Sequence, residues 1–393
     1  MTAVRWRGLA VVAAAVLLPA ALTGCKGREG GAGAAGRIKI TPTGDALADA
    51  KTYLAQLCPQ PIGGELNFMV WEGYTDASFA KPFEDQCGVK LNSTFMGSSD
   101  ELVAKIRAGG SETIDLVSPS SDAITQLVQA NLAAALDVSR VPTYGDLSET
   151  FRNLGMAKKD GNVYGVPWAF GPNPLIYDTS AVKPAPDSWG LLWDPKYRRK
   201  LSLQDDIATL WMVAQYLGMD DPNDPSHLYN LSDEELARVK AKAMELRPNV
   251  RKYWATAGDM TQLFASHEIV MGEGWPLMTQ ELRKQKFPVG ETIPKEGTTG
   301  WIDHWVMTNG AKNLNAAYAW LEYTAQPFTQ KLMADVTNYT VSNPNAASYM
   351  TPEQVAGLHM NDIAGYGHNV NYWQWSPRRD KYQEVWNQVK AGR

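Results

Sequence analysis

The residues in this chain best suited to chemistry are carboxylates set among large aromatic rings. In the stretch KEGTTGWIDHWVM, Lys295 to Met307, the residues Trp301, Asp303 and Trp305 alternate with Ile302, His304 and Val306. A period of two predicts a strand and sends Trp301, Asp303 and Trp305 to one face. A carboxylate flanked by indoles is costly to bury without a cationic partner, and no Lys or Arg follows it directly. A ligand ammonium, held by the acid and by ring faces, would meet that need. The alternative is a solvated strand end against which the tryptophans simply pack.

Other chemistry is missing from the sequence. There is no G-x-S-x-G, no phosphate-binding glycine loop, no H-E-x-x-H and no C-x-x-C. The five histidines, His227, His267, His304, His359 and His368, show no ligand spacing. Asp303 and His304, as neighbours on a strand, point to opposite faces, which argues against a shared metal or triad. No metal site, cofactor or catalytic residue is expected. What remains is acids with aromatics at loop ends, which suits cation binding. An exported glycoside hydrolase using two of Glu72, Asp206, Glu273 and Asp303 is the competing chemistry.

Length and composition set the frame. A chain of 393 residues suits two domains, and 44% apolar content can fill real cores. A net charge of −5 with interspersed signs leaves no footprint for nucleic acid. The 14 tryptophans stand out; most are expected to be structural, and a few to line a site.

The elements that must position these residues alternate between strand and helix. Leu66–Trp71, Lys90–Phe95 and Asp115–Val117 read as strands, with helices following each. That order predicts a mostly parallel α/β sheet, with ligands beyond the carboxyl ends of its strands. Trp71, Glu72, Tyr74 and Asp122 lie at such ends. Further strands are expected at Val163–Trp168, Leu175–Tyr177, Leu201–Gln204 and Glu268–Gly272. Asp205 and Asp206 open a helix, and Ser232 with Glu235 forms a capping box for another. Helices are also expected near Asn315–Thr324, Pro327–Val336 and Arg378–Lys390.

The N-terminus reads as an export address. Arg5 and Arg7 precede an apolar run from Leu9 to Leu22, as in a signal peptide. The run ends in Leu22-Thr23-Gly24-Cys25, which resembles the bacterial lipobox and implies cleavage before Cys25 and its lipidation. Lys26 to Gly44 is Gly/Ala-rich and reads as a tether. The expected location is therefore extracytoplasmic and lipid-anchored. In that compartment Cys58 and Cys87 can form a disulfide.

From about Leu66 to the C-terminus the chain resembles the extracytoplasmic solute-binding proteins of spermidine/putrescine ABC transporters. The resemblance rests on Trp71-Glu72-Gly73-Tyr74, on Asp115 through Ser120, on Tyr164 through Trp168, and on Ser188 through Tyr197. It continues through Gln204-Asp205-Asp206, Lys295-Glu296-Gly297, Trp301-Ile302-Asp303, Tyr339 through Asn345, and Trp373-Gln374. It implies a two-domain α/β periplasmic-binding-protein fold of type II, with discontinuous domains joined by hinge crossovers. The expected organisation is a signal peptide (1–24), a lipidated tether and N-terminal segment (25–62), lobe 1 (63–169 and 302–345) and lobe 2 (170–301 and 346–393). The implied function is capture of a polyamine, or a similar organic cation, for a membrane permease; a receptor for an amino acid-like or other small solute is the alternative.

Family binding positions fall on Trp71, Tyr74, Asp206, Trp275, Trp301, Asp303, Tyr339 and Gln374. Asp303 and Asp206 are expected to take amino groups, the aromatics to flank the chain, and Gln374 to bond a terminal amine. Three positions depart from the family's pattern. The acid expected at Gly73 is one residue earlier, at Glu72; Asp122 replaces an aromatic; and Thr209 replaces a second acid. Glu72 and Asp122 are therefore added as candidate ligand-binding residues.

Overall fold

The computed structural model describes residues 37–363 and 370–393. The expected signal peptide, Cys25 and most of the expected tether lie outside the described residues.

The strands in chain order are β1 (Glu65–Val70), β2 (Lys90–Phe95), β3 (Leu116–Val117), β4 (Lys158–Lys159) and β5 (Asn162–Val163). Next come β6 (Gly165–Pro172), β7 (Leu175–Asp178), β8 (Leu201–Gln204), β9 (Val250–Trp254) and β10 (Met271–Glu273). The last are β11 (Val289–Thr292), β12 (Thr298–Met307), β13 (Thr340–Val341) and β14 (Val370–Tyr372).

They form two main sheets and a small hairpin of β4 and β5. The larger sheet runs β13-β6-β12-β3-β1-β2, with β14 added alongside the start of β12. Its β1, β2 and β3 are parallel, as the strand-helix alternation predicts, whereas β12 is antiparallel to both β3 and β6. The smaller sheet runs β11-β7-β10-β8-β9. The chain crosses between the sheets twice in this region. Asn173 and Pro174 alone separate β6 from β7, and Ile293 to Gly297 join β11 to β12. This is a mixed α/β, two-domain binding-protein fold of type II. β6 stays in the larger sheet through Pro172 and β12 enters it at Thr298, while β14 pairs with β12.

Each strand follows from its residues. β6 and β12 are buried along their whole length and are rich in apolar and aromatic side chains, as a strand covered on both faces requires. Trp305 is fully buried and packs among Phe68, Trp168 and Trp320, with ring centroids 5.6 to 5.9 Å apart. It serves the core, not a site. Three helices were not expected from the sequence: Ala46–Leu57, capped by the Asp45 carboxylate, the short Glu149–Arg152, and Ala257–Ala265, capped by the Thr256 hydroxyl. Cys58, just past the first of these, is joined to Cys87 in a disulfide.

Candidate functional site

The site is built around Asp303. One carboxylate oxygen accepts the Tyr74 hydroxyl at 2.5 Å and the other the Ser120 hydroxyl at 2.6 Å. Tyr74 is brought there by a tight turn after β1, in which Gly73 takes φ 88°, a left-handed conformation that favours glycine. Ser120 precedes the helix Ser121–Gln129, and its backbone bridges to Asp303. A register shift in β12 falls between Asp303 and His304. Asp303 is almost wholly buried, and burial pushes its carboxyl up to about 8, although the two hydroxyls pull it down. Two neutral hydroxyls thus stand where a cationic partner was expected. They satisfy part of the carboxyl's hydrogen-bonding capacity and bring no positive charge to it. His304 is also buried and is pushed down to about 4, so it stays neutral.

Aromatic rings enclose the rest. Trp71 and Trp275 meet edge to face at 5.3 Å, and Trp301 meets Tyr339 at 4.5 Å. Gly171 makes room for Trp301, since a Cβ there would lie 3.1 Å from the indole. Trp71, Tyr74, Trp301, Asp303 and Tyr339 belong to the larger-sheet side, whereas Trp275 follows β10 of the smaller sheet. With Ser120 and Trp373 they line a cavity of about 10 Å³. That is about the room of one water molecule. A larger guest needs more room than the cavity has in this structure.

Six of the ten expected ligand-binding residues therefore meet at one cavity: Trp71, Tyr74, Trp275, Trp301, Asp303 and Tyr339. The other four stand apart from its lining. Glu72 accepts hydrogen bonds from the Ala257 and Gly258 amides, at the start of the helix Ala257–Ala265. Asp122 is paired with Arg379 at 2.7 Å and with the Ser99 hydroxyl at 3.1 Å. Gln374 reaches the Pro225 carbonyl, beside a separate, wider groove.

Asp206 accepts the Ala208 amide, and burial pushes its carboxyl up to about 7. Burial, together with the nearby Asp206, pushes the Glu273 carboxyl up to about 8. Glu273 takes weak contacts from Asn173 at 3.4 Å and from Thr209 at 3.4 Å. So the position where an acid was lost, Thr209, is served by a carboxylate from another strand. Beside it, the fully buried Gln204 amide has, among the described residues, no hydrogen-bond partner on either atom.

Two lining residues were not singled out from the sequence. Ser120 carried a signal, since it ends the Asp115-to-Ser120 match. Trp373 was passed over for its neighbour Gln374. Its backbone N–H continues the β14–β12 pairing by donating to the Gly300 carbonyl, and the residue lines the cavity.

A buried acid within a ring of aromatics, closed by elements from two sheets, defines a solute-binding receptor. The chain belongs to the bacterial extracellular solute-binding proteins, whose family model matches residues 78–359. It is 26% identical over 287 residues to the spermidine/putrescine-binding periplasmic protein 1 of Haemophilus influenzae, covering 72% of this chain and 76% of that one. It is 24% identical to the spermidine/putrescine-binding periplasmic protein of Salmonella typhimurium, covering 84% and 92%. A solved structure from Listeria monocytogenes, named for spermidine/putrescine ABC transport, superposes with a TM-score of 0.74 at 24% identity, covering 84% and 99%. Members of this family are receptors for solutes, not enzymes. Among the described residues no helix is long and apolar enough to cross a membrane.

Proposed function

We propose that this protein captures a polyamine, or a putrescine/spermidine-like organic cation, and delivers it to an ABC importer. The observation that carries this reading is the Asp303 carboxyl, buried among rings from both sheets and bonded, among the described residues, to two neutral hydroxyls and to no cationic side chain. An alkylammonium fits both parts: the acid takes the charge, and the indole faces take the cation and the methylenes, at about 0.5 to 2 kcal/mol per contact. A ligand of about six heavy atoms reaches at most about −9 kcal/mol, a sub-micromolar affinity, when nearly every atom is engaged. Enclosure between two closing lobes supplies that engagement.

In this reading residues 63–169 and 302–345 form lobe 1 and residues 170–301 and 346–393 form lobe 2. Val370–Tyr372 pairs with β12 of the larger sheet. Lipidation at Cys25 would hold the receptor beside its permease, and no catalytic role is assigned to any acid.

Isothermal titration with putrescine, spermidine and a neutral diol of matching length tests the proposal. Binding of a cation with no binding of the diol is expected. Failure of every cation, or equal binding of the diol, defeats it.

A further inference from the structure

Arg379 is the first residue of the terminal helix Arg379–Ala391, reached from β14 through Trp373 to Arg378. That helix packs on the smaller-sheet side. Its Trp386 and Lys390 bond Asp205 just beyond β8, and the Trp386 ring meets Tyr253 of β9 at 4.9 Å. Tyr382 donates to the Leu228 carbonyl and accepts the Leu231 amide. The Arg379 guanidinium reaches the other side. Nε donates to Asp100 at 2.5 Å and Nη1 to Asp122 at 2.7 Å. Asp100 lies on the helix Ser99–Arg107, between β2 and β3, and Asp122 on the helix Ser121–Gln129, which follows β3. Arg379 and Asp122 are almost wholly buried. One cation carried by the smaller-sheet side thus joins two helices of the larger-sheet side.

Three consecutive residues connect this joint to the cavity. Ser120 donates to Asp303, Ser121 donates to the Trp373 carbonyl, and Asp122 accepts from Arg379. Ser120 and Trp373 line the cavity, whereas Arg379, Asp100 and Asp122 stand outside its lining. A guest can therefore occupy the cavity without displacing the ion pairs. The contact of Glu72 with the Ala257 and Gly258 amides crosses between the same two sides with the charges reversed.

We propose that Arg379 is a positioning residue of the binding site: its paired bonds to Asp100 and Asp122 clamp the terminal helix to the larger-sheet side and fix the closed arrangement around Asp303. The physical reason is one of alignment. Arg379 and Asp122 lose their water in this arrangement, and each then depends on the other. A closure at a different angle would bury the same charges apart, which is unfavourable. The planar guanidinium adds direction, since its N–H groups reach two carboxylates at once. The scattering arm of the test below stands by itself; the ligand arm rests on the cation-capture reading.

The test compares the purified full chain with Arg379→Met, Arg379→Lys and Arg379→Met/Asp122→Asn. Circular dichroism establishes folding, X-ray scattering gives the radius of gyration without ligand, and stopped-flow tryptophan fluorescence with putrescine gives the rates. Arg379→Met is expected to have a larger radius of gyration and to bind putrescine about tenfold or more weakly, chiefly through faster dissociation. Arg379→Lys, which keeps the charge and loses the fork, is expected to fall between it and the wild type. Adding Asp122→Asn is expected to recover part of the loss, because no unpaired acid is then buried. If Arg379→Met does not fold, Asp100→Asn, at the more exposed of the two acids, takes its place with the same expected direction. A folded variant with the wild-type radius of gyration overturns the clamp. So does a lowered melting temperature with an unchanged dissociation rate, since the ion pairs would then only staple the terminal helix. If putrescine does not bind the wild type, the cation-capture reading falls and the scattering result alone decides the clamp.

Discussion

Glu72 reaches from the turn after β1 to the start of the helix Ala257–Ala265, where its carboxylate accepts the N–H groups of Ala257 and Gly258. The first belongs to the larger sheet and the second follows β9 of the smaller one. An acid at a helix N-terminus is favourable because the first N–H groups have no partner within the helix and carry partial positive charge. Here the acid and the helix lie on opposite sides of the closed site, so the contact acts as a latch.

Breaking that latch should disfavour the closed form. Glu72→Gln or Glu72→Ala removes about 0.5 to 2 kcal/mol of capping energy. The expected outcome is ligand affinity weakened about 2- to 30-fold. X-ray scattering should show a larger radius of gyration for the variant without ligand. Unchanged affinity and size would refute the latch.

Asp303 gives a pH dependence of known sign. Its carboxyl is raised from an ordinary value near 3.8 to about 8, so the folded state holds a proton that the unfolded chain has released. Its contribution to stability is full below about pH 4 and is lost as pH rises through about 8. Asp206, raised to about 7, and Glu273, raised to about 8, add in the same direction. The melting temperature without ligand is expected to fall between pH 5 and pH 8, and Asp303→Asn should flatten part of that fall. A bound ammonium favours the ionised carboxylate, so binding at pH 7 should release protons. Calorimetry in two buffers of different ionisation enthalpy measures that release, and identical heats would contradict it.

The tryptophans on opposite walls should each matter for ligand and little for the fold. Trp275→Leu and Trp301→Leu each remove one indole face from the cavity. A loss of about 2- to 30-fold in affinity per change is expected from the cation–π range. Far-ultraviolet circular dichroism should be unaltered. Affinity within error of wild type for both variants would show that the rings are packing elements alone.

The Cys58–Cys87 bridge closes a loop with a sequence separation of 29. Loop-closure entropy for that length is about 3 to 4 kcal/mol. Cys58→Ser/Cys87→Ser is expected to lower stability by up to that amount in urea titration, with ligand affinity unchanged because neither residue is near the cavity. A loss of affinity at full stability would be the contrary result.

What the sequence made legible was local. The alternation through Trp301 and Asp303 was visible because a strand's period is two and β12 is a strand throughout. The capping box at Ser232 and Glu235 forms as read, because all its atoms lie within one turn. The parallel β1, β2 and β3 followed from their intervening helices. Long-range partners were not legible. The Asp122 partner, Arg379, lies 257 residues away, and the helix that Glu72 caps lies 185 away. No spacing rule reaches so far. Trp373 and Gln374 share one short segment, and which of the two faces the cavity depended on the register of β14 against β12. The helix Ala257–Ala265 carried a Thr256 cap signal, but its short length and the apolar residues around it hid the boundary.

The two-residue passage from β6 to β7 has a mechanical consequence. Between Pro172 and Leu175 the backbone has few soft torsions, since the ring of Pro174 fixes its φ and narrows the choices of Asn173 before it. A link so stiff permits little twisting or sliding. Such a joint restricts any relative motion of the two sheets to a narrow arc, as a pin restricts a door.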